Sequence, residues 1–491
     1  MVVCLIVYLT ERRHLKMKRL YELSDRIKSS YKALPFIGHA YMALGSNQDR
    51  MNALKKMSSE AMNSEYGVTG VWMGMNFYVV VADPVVAEVL TKLVLGKSKM
   101  KAFHDITGKY GSIFAPIAIW RSHRRIVLHS FSEKRLRMYT SIFVKQSHFA
   151  LDELEPLAGI GPISLWDHML RYAMTSVSQT LFGIDIVDLE EHELFLNAFA
   201  TFLKYVAVKM CQPWFRSDIV FRSMPIYGKM EKQKRIILNF IEKAIQKKQM
   251  ESPPRNANPN SVMEMLMETS RSLNQPFSLE QLRDELVVLF LASTDTSTVA
   301  VCFTCLMLAM HPQCQEKTYQ EIEDALKDVP TEELSESHLA KLKYLDAMLK
   351  ETLRLCPPVP IIGRKVEEDV ELPNGLTVVP GCEVLISVWS IHRNPKYWGK
   401  DAEQFRPERF LETSTRPKSS FMAFAYGPRN CIGYRFAYMS TKIILISLLR
   451  RFTILPPTDQ TPFELKLKFN VMLKDANNFQ VQLKRRASTS K

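Results

Sequence analysis

The chain has 491 residues, of which 46% are hydrophobic, 24% charged and 10% aromatic. That mixture excludes a disordered chain, a collagen-like repeat and a disulfide miniprotein, and no run of about 20 apolar residues suggests a polytopic membrane protein. Sixty-five Lys and Arg against 51 Asp and Glu leave a net charge of +14, which calls for an acidic partner: nucleic acid, an anionic membrane surface, an acidic protein or an anionic cofactor.

The chain opens on the apolar run MVVCLIVYL, followed by TERRHLKMKRL. An apolar run before a basic cluster (Arg12, Arg13, Lys16, Lys18, Arg19) reads as a membrane anchor whose flank faces an anionic leaflet. The run is too short for a hydrocarbon core of ~30 Å, which takes ~20 helical residues. The expectation is therefore a partial anchor and basic linker over 1–30, ahead of one folded domain over 31–491. A secretory signal would need charge before the run and a small-residue cleavage site after it. A mitochondrial presequence would avoid Glu11, Glu22 and Asp25.

Residues 68–82, VTGVWMGMNFYVVVA, are β-branched and aromatic around a pair of glycines and predict a hairpin. Asp83-Pro84 then starts a helix, with proline in the first turn. From about 84 to 350 the spacing is helical, interrupted at 155–163 and at the Pro/Asn-rich stretch 251–260. Short strands are predicted over 365–388, with turns at Pro373-Asn374-Gly375 and Pro380-Gly381. Residues 393–430 lack periodicity and read as an irregular but packed loop. Residues 431–451 are helical, and the last forty alternate. No repeat or low-complexity linker divides the chain, so the fold class is mainly α with a minor β-rich part, in a single large domain.

Eight cysteines are sparse and irregularly spaced, which disfavours a disulfide framework. Cys302 and Cys305 form a CxxC, but the flanking VAVCFTCLMLAM is apolar at helical spacing, so both read as small core residues.

The sharpest feature is FAYGPRNCIG at 424–433. It reads as a tight loop ending in Cys431 and running into a helix, whose amide N–H groups and positive dipole end stabilise a thiolate. Gly427 and Gly433 permit a sharp turn and close approach of a flat ligand. Arg429 is placed to pair with an anion, and Phe424 supplies an apolar wall. At about one in twenty per position, ~500 windows give a chance occurrence near 10⁻⁴. Upstream, Glu351 and Arg354 in YLDAMLKETLRLCPP lie three apart on one helix face, close enough to pair. The helix 279–309 is apolar almost all round and should run through the middle of the fold. Its polar interruption is Ser293-Thr294-Asp295-Thr296-Ser297, where hydroxyls can bond back to the preceding turn.

FxxGxRxCxG resembles the haem-binding loop of the cytochrome P-450 superfamily, the haem-thiolate monooxygenases. Further signatures follow in the family's order from PFIGH at Pro35 to Cys431. The resemblance implies that Cys431 is the axial thiolate of haem iron. Glu351, Arg354 and Arg409 of FRPERF would form a buried network holding the cysteine loop. Ser293 to Thr296 would be the oxygen-binding groove, with Thr296 hydrogen-bonding the oxygen and Asp295 linking it to proton delivery. The family's glycine in this groove is Ser293 here. Trp120 and Arg124 of WRSHRR, with Arg364 and Arg429, would hold the haem propionates, and His392 of SIHRNP would lie near them.

FGIDI, HPQCQEKTYQEIE and FAYGPRNCIGYRFAYM resemble the insect microsomal branch of the family-four clan. Many members carry an acid at the position of Ala292 that becomes ester-linked to haem, so haem b is expected to be non-covalent here. Candidate substrate contacts are Phe114, Ile117, Phe290, Ala292, Val359, Ile361, Ile362, Val471 and Met472, all apolar. The implied reaction inserts one oxygen atom of O₂ into a lipophilic small molecule: a fatty acid, lipid, hormone, odorant or xenobiotic. No GxGxxG follows a strand, so electrons from NADPH would come through a separate NADPH-cytochrome P-450 reductase, with cytochrome b5 as a further candidate donor. The implied location is the cytoplasmic face of the endoplasmic reticulum membrane, and no nucleic-acid motif accompanies the charge. A reductase-independent thiolate-haem isomerase or dehydratase is a second reading, against which Asp295 and Thr296 argue. An inactive haem- or lipid-binding relative is a third, for which Ser293 gives some ground.

Overall fold

A computed structural model describes residues 15, 17–97, 107–183, 191–211, 215, 218–250, 261–458 and 464–486. The expected anchor run and the stretch 251–260 lie outside these residues. Contacts divide the chain into two compact units. One comprises Met1–Lys99, Val359–Gln404 and Ser414–Cys431; the other comprises Met100–Pro358, Phe405–Thr413 and Ile432–Lys491.

The first unit is built on a four-stranded sheet ordered Val68–Met73, Asn76–Val81, Glu383–Ser387, Ile361–Lys365. The first two strands form the predicted antiparallel hairpin, with Val68 opposite Val81. Asn76–Val81 runs parallel to Glu383–Ser387, which pairs antiparallel with Ile361–Lys365. β-Branched residues occupy both faces, because both are covered. Val79, Val81, Val384 and Ile386 join Leu23, Ile27 and Leu90 in one core. Val71 and Val80 meet Ala53, Met57 and Ala61 of the helix Asn47–Asn63 in another. The helix Pro84–Leu93 begins as Asp83-Pro84 predicts. Asp83 Oδ1 accepts the N–H groups of Val85 and Val86, at 2.8 and 3.1 Å. Arg19 of the basic cluster pairs with Asp369 at 2.7 Å, so it is not simply an open cation.

The second unit is mainly helical and surrounds Leu279–Met310, which Ser278 and Gln281 open with a reciprocal cap. This helix is long and apolar enough to cross a membrane, yet most of its apolar window is buried inside the protein. It is a core helix, packed against Trp166–Phe182, Lys343–Leu355 and Tyr434–Arg451, among others. Each buried Leu, Val or Ile contributes about 1.5–3 kcal/mol, which is why the helix tolerates few polar positions. Cys302 and Cys305 are fully buried on it, and burial pushes the Cys305 thiol up to about 12 and Cys302 upward as well. Both therefore stay protonated as core residues, as the apolar flanks predict. The alternating C-terminal segment supplies Phe452–Leu455 and Gln480–Arg485, paired antiparallel, and the hairpin of Leu467–Phe469 with Leu473–Asp475.

Asp83 also accepts a hydrogen bond from the Tyr397 hydroxyl at 2.7 Å. Asp83→Ala should lower the unfolding free energy by about 1 kcal/mol or somewhat more, read as an earlier denaturant midpoint. An unchanged midpoint would contradict the capping role.

Candidate functional site

The cysteine loop belongs to the first unit and closes on itself through its backbone. The N–H of Ala425 donates to the carbonyl of Met422 (2.8 Å), that of Asn430 to Gly427 (3.0 Å) and that of Cys431 to Phe424 (2.8 Å). His392, fully buried and stacked on Phe421 with ring centres 5.3 Å apart, accepts the Met422 N–H on Nε2 at 2.8 Å. It therefore holds the start of the loop. Gly427 has φ 76°, and a Cβ there would lie 2.7 Å from the Thr91 carbonyl oxygen. Gly433 has φ −94°, and a Cβ there would meet only the Phe131 ring at 3.8 Å. The turn thus requires glycine at Gly427, while the space beside Gly433 leaves room for the close approach expected there. Cys431 is exposed and Phe424 half-buried. The helix begins at Tyr434, with Gly433 as its N-cap, so the expectation that Cys431 itself opens the helix is corrected: Ile432 and Gly433 intervene.

The same unit buries positive charge. In Ile361–Lys365 alternation puts Ile362 and Arg364 on the buried face. Arg364 is 0% exposed, and its Nη1 donates to the Gly363 carbonyl at 3.0 Å. Its Nε and Nη2 are buried without a hydrogen-bond partner among the described residues. Burial pushes its pKa down to about 10. Arg429 is also buried. Lys97 is half-buried and held well below the usual lysine range, first by burial and then by the positive charges of Arg364 and Arg429. A buried cation without a counter-charge costs several kcal/mol, so this cluster fits a ligand that brings anionic groups. Lys97 was missed in the sequence; its only signal there is a lysine closely following the helix Pro84–Leu93.

In the second unit, Glu351, Arg354 and Arg409 come together as expected, all at most 1% exposed. Arg354 makes a two-pronged pair, Nε to Oε2 and Nη2 to Oε1 of Glu351, both 2.7 Å. Arg409 Nε and the Arg406 backbone N–H reach Oε1 of Glu351 at 2.9 Å each. The charges therefore compensate inside one network.

On the long helix, every side chain from Asp284 to Ala309 is buried except Ala292, Ser293 and Thr296, which are half-buried. These three share one face, so the helix is uncovered along a single narrow strip. The hydroxyls of Ser293, Thr294 and Thr296 donate one turn back, to the carbonyls of Leu289 (2.5 Å), Phe290 (2.8 Å) and Ala292 (2.7 Å). Asp295 is buried, and its Oδ1 accepts from Lys474 Nζ at 2.9 Å. Lys474 carried no sequence signal.

Trp120, buried, and Arg124, half-buried, lie one turn apart on Ile117–Ser130. His123 on that helix lies with Nδ1 3.1 Å from Glu285 Oε2, and Ser112 Oγ donates to Glu285 Oε1 at 2.6 Å. These contacts fix the Trp120 helix against the long one. Among the substrate candidates, Phe114, Ile117, Ala292, Val359, Ile361, Val471 and Met472 are half-buried. Two others are corrected. Phe290 is 1% exposed, with its ring 4.9 Å from Phe199 and 5.1 Å from Phe195. Ile362 packs in the first unit's core with Val384 and Ile386. Both are core residues rather than residues open to a cavity.

The family model for Cytochrome P450 matches residues 30–483. Probable cytochrome P450 313a2 of Drosophila melanogaster is 28% identical over 96% of this chain and 95% of its own length. Cytochrome P450 4d2 of the same species is 26% identical, covering 93% of each chain. Cytochrome P450 4V2 of Pongo abelii is 25% identical over 95% of this chain and 91% of its own. The match runs through both units and includes the cysteine loop, the Glu351 network and the long helix, so the chain belongs to the cytochrome P450 family of haem monooxygenases.

Proposed function

We propose that Cys431 ligates haem iron and that the chain oxidises a lipophilic small molecule with electrons from NADPH, delivered by a separate reductase or by cytochrome b5. The observation that carries this reading is the strip of Ala292, Ser293 and Thr296, the uncovered part of an otherwise buried stretch of helix. Bound haem would supply oxygen activation in the overall reaction RH + O₂ + NADPH + H⁺ → ROH + H₂O + NADP⁺.

The chain's own residues have distinct tasks in this scheme. Arg364, Arg429 and Lys97 of the first unit would neutralise haem propionates; for Trp120 and Arg124 of the second unit the propionate role rests on the family resemblance. The orphaned nitrogens of Arg364 support the first assignment. Phe424 would wall the thiolate side. Glu351, Arg354 and Arg409 would keep the segment before the cysteine loop in place. Thr296 donates its hydroxyl hydrogen bond to the Ala292 carbonyl in this structure. It offers lone pairs to the strip, and it must turn its hydroxyl off that carbonyl before it can donate to a ligand. Ser293 folds its hydroxyl back onto the helix in the same way, so its extra atoms run along the helix. The apolar set Phe114, Ile117, Ala292, Val471 and Met472 supports a lipophilic substrate. The opening apolar run and its basic cluster support placement at the cytoplasmic face of the endoplasmic reticulum membrane.

The reduced carbon-monoxide difference spectrum tests thiolate ligation. The parent should give the thiolate-type Soret band, and Cys431→Ala should lose it; a band retained in Cys431→Ala would assign another ligand. Arg409→Ala leaves a buried carboxylate short of one cation, at a cost of about 3–5 kcal/mol. It should abolish haem incorporation, read as haem per polypeptide, and normal loading would contradict the network's role. Ala292 has no carboxyl to form an ester, so haem should leave the acid-denatured protein completely. Haem mass retained on the polypeptide by mass spectrometry would refute this.

A further inference from the structure

The loop before the helix Ile117–Ser130 is seated on the long helix by two adjacent acids. Asp284 Oδ2 accepts the Tyr110 N–H at 3.1 Å. Glu285 takes the Ser112 N–H on Oε2 at 3.1 Å and the Ser112 hydroxyl on Oε1 at 2.6 Å. His123 Nδ1 lies 3.1 Å from the same Oε2, and a carboxylate facing it accepts the Nδ1 hydrogen. Two glycines let the loop come this close. Gly108 has φ 65°, and a Cβ there would run into the Asp284 carboxylate. A Cβ on Gly111 would run into the Val288 side chain.

The two acids are served differently. Arg283 reaches Asp284 Oδ1 with Nη2 at 3.1 Å and Glu242 of the helix Pro225–Met250 with Nη1 at 3.0 Å, so the Asp284 charge is met on the spot. Glu285 draws donors from two other elements, the loop and the helix Ile117–Ser130. It is 0% exposed, and His123 is 2% exposed. Rings hold the imidazole: Phe277 with its centre 4.6 Å away, and Tyr110 stacked at 6.5 Å. An apolar contact would seal this stretch of helix without burying a carboxylate. What the carboxylate adds is direction, because a hydrogen bond fixes the place of its donor.

That place bears on the strip. Ala292 follows Glu285 by seven residues and Val288 by four, and both spacings return to one helix face. The loop therefore lies on the face that carries Ala292 and Thr296. It packs on that face as far as Val288, one turn before Ala292, and Glu285 anchors it about 10 Å along the axis from Ala292.

We propose that Glu285 is a positioning residue that fixes where the cover over this face ends, and so limits how long an apolar chain can lie along the helix beside bound haem. This rests on the monooxygenase reading above and gives its lipophilic substrate a length rule. Ser112 and His123 are the two grips of the clasp. Releasing either one lets the loop shift away from the strip.

Two readouts test this on the full-length haem-loaded protein, in the parent and in Ser112→Ala, His123→Leu and His123→Asn. Asparagine keeps an N–H donor at the place of Nδ1, and leucine does not. In the first readout, trypsin cleavage after Lys109 is timed by mass spectrometry, with cleavage after Lys32 as control; both lysines are exposed. Cleavage after Lys109 should be about tenfold faster in Ser112→Ala and His123→Leu, as expected for loss of one charge-assisted hydrogen bond. It should be parent-like in His123→Asn, with Lys32 unchanged throughout. Equal cleavage after Lys109 in all four proteins overturns the proposal. In the second readout, 1-alkylimidazoles of increasing chain length are titrated by Soret shift, since their ring nitrogen ligates haem iron whatever the natural substrate. The parent should lose affinity beyond a limiting chain length. Ser112→Ala and His123→Leu should bind the longer chains at least severalfold more tightly than the parent, bind 1-methylimidazole equally, and His123→Asn should follow the parent. One chain-length profile shared by the parent and the loosened variants overturns the proposal. So does weakened binding of 1-methylimidazole in Ser112→Ala, which would assign the clasp to haem retention. A parent that gives no Soret shift with 1-methylimidazole overturns the haem reading instead, and the trypsin readout still judges the clasp.

Discussion

A guanidinium taken wholly out of water needs an acceptor, and Arg364 is buried with two nitrogens that find none among the described residues. Arg429 adds charge of the same sign, and Lys97 is held well below its usual range, first by burial and then by the two guanidinium charges. Burial of this kind is strongly unfavourable unless something anionic shares the space. Much else in the first unit arranges this cluster. The sheet register turns Arg364 inward, and the closed cysteine loop carries Arg429. The positive net charge that stands out in the composition thus has one concrete destination.

The Glu351 network shows what a satisfied arrangement of the same residue types looks like. Three donors, Arg354 Nη2, Arg409 Nε and the Arg406 N–H, converge on one carboxylate oxygen, and Arg354 Nε takes the other. Nothing in that network asks for a ligand, so its contribution is rigidity. Arg364 lacks such closure, and that contrast separates a structural cluster from a binding one in a way residue identity alone does not. The long helix makes the same distinction in apolar terms. From Asp284 to Ala309 its surface is sealed by packing except at Ala292, Ser293 and Thr296, and an uncovered strip on a core helix is where a ligand can come close.

Features that depend on local chemistry were legible in the sequence. The 68–82 hairpin follows from β-branched residues around glycines, the helix after Asp83 from its cap and proline, and the Glu351–Arg354 pair from spacing on one helix face. The resemblance to the P-450 superfamily, carried by the cysteine loop, brought in Arg409, which no spacing rule could reach across 58 residues. Other features were not legible because they arise only on folding. Lys474 meets Asp295 through a strand contributed from the far end of the chain, and Lys97 becomes distinctive only beside two arginines. Phe290 and Ile362 were misread because lining a pocket and filling a core require the same apolar side chains. Within the protein's own atoms the φ angle and the neighbouring backbone require glycine at Gly427, a demand that the motif alone does not assign to one glycine.

We propose that the buried cations of the first unit meet the carboxylates of a bound porphyrin. Binding of haem and of its dimethyl ester, whose propionates carry no charge, to the same haem-depleted protein measures this directly by Soret titration. The ester should bind at least about tenfold more weakly, and Arg364→Met should narrow the gap. Equal affinity for the two porphyrins would contradict it.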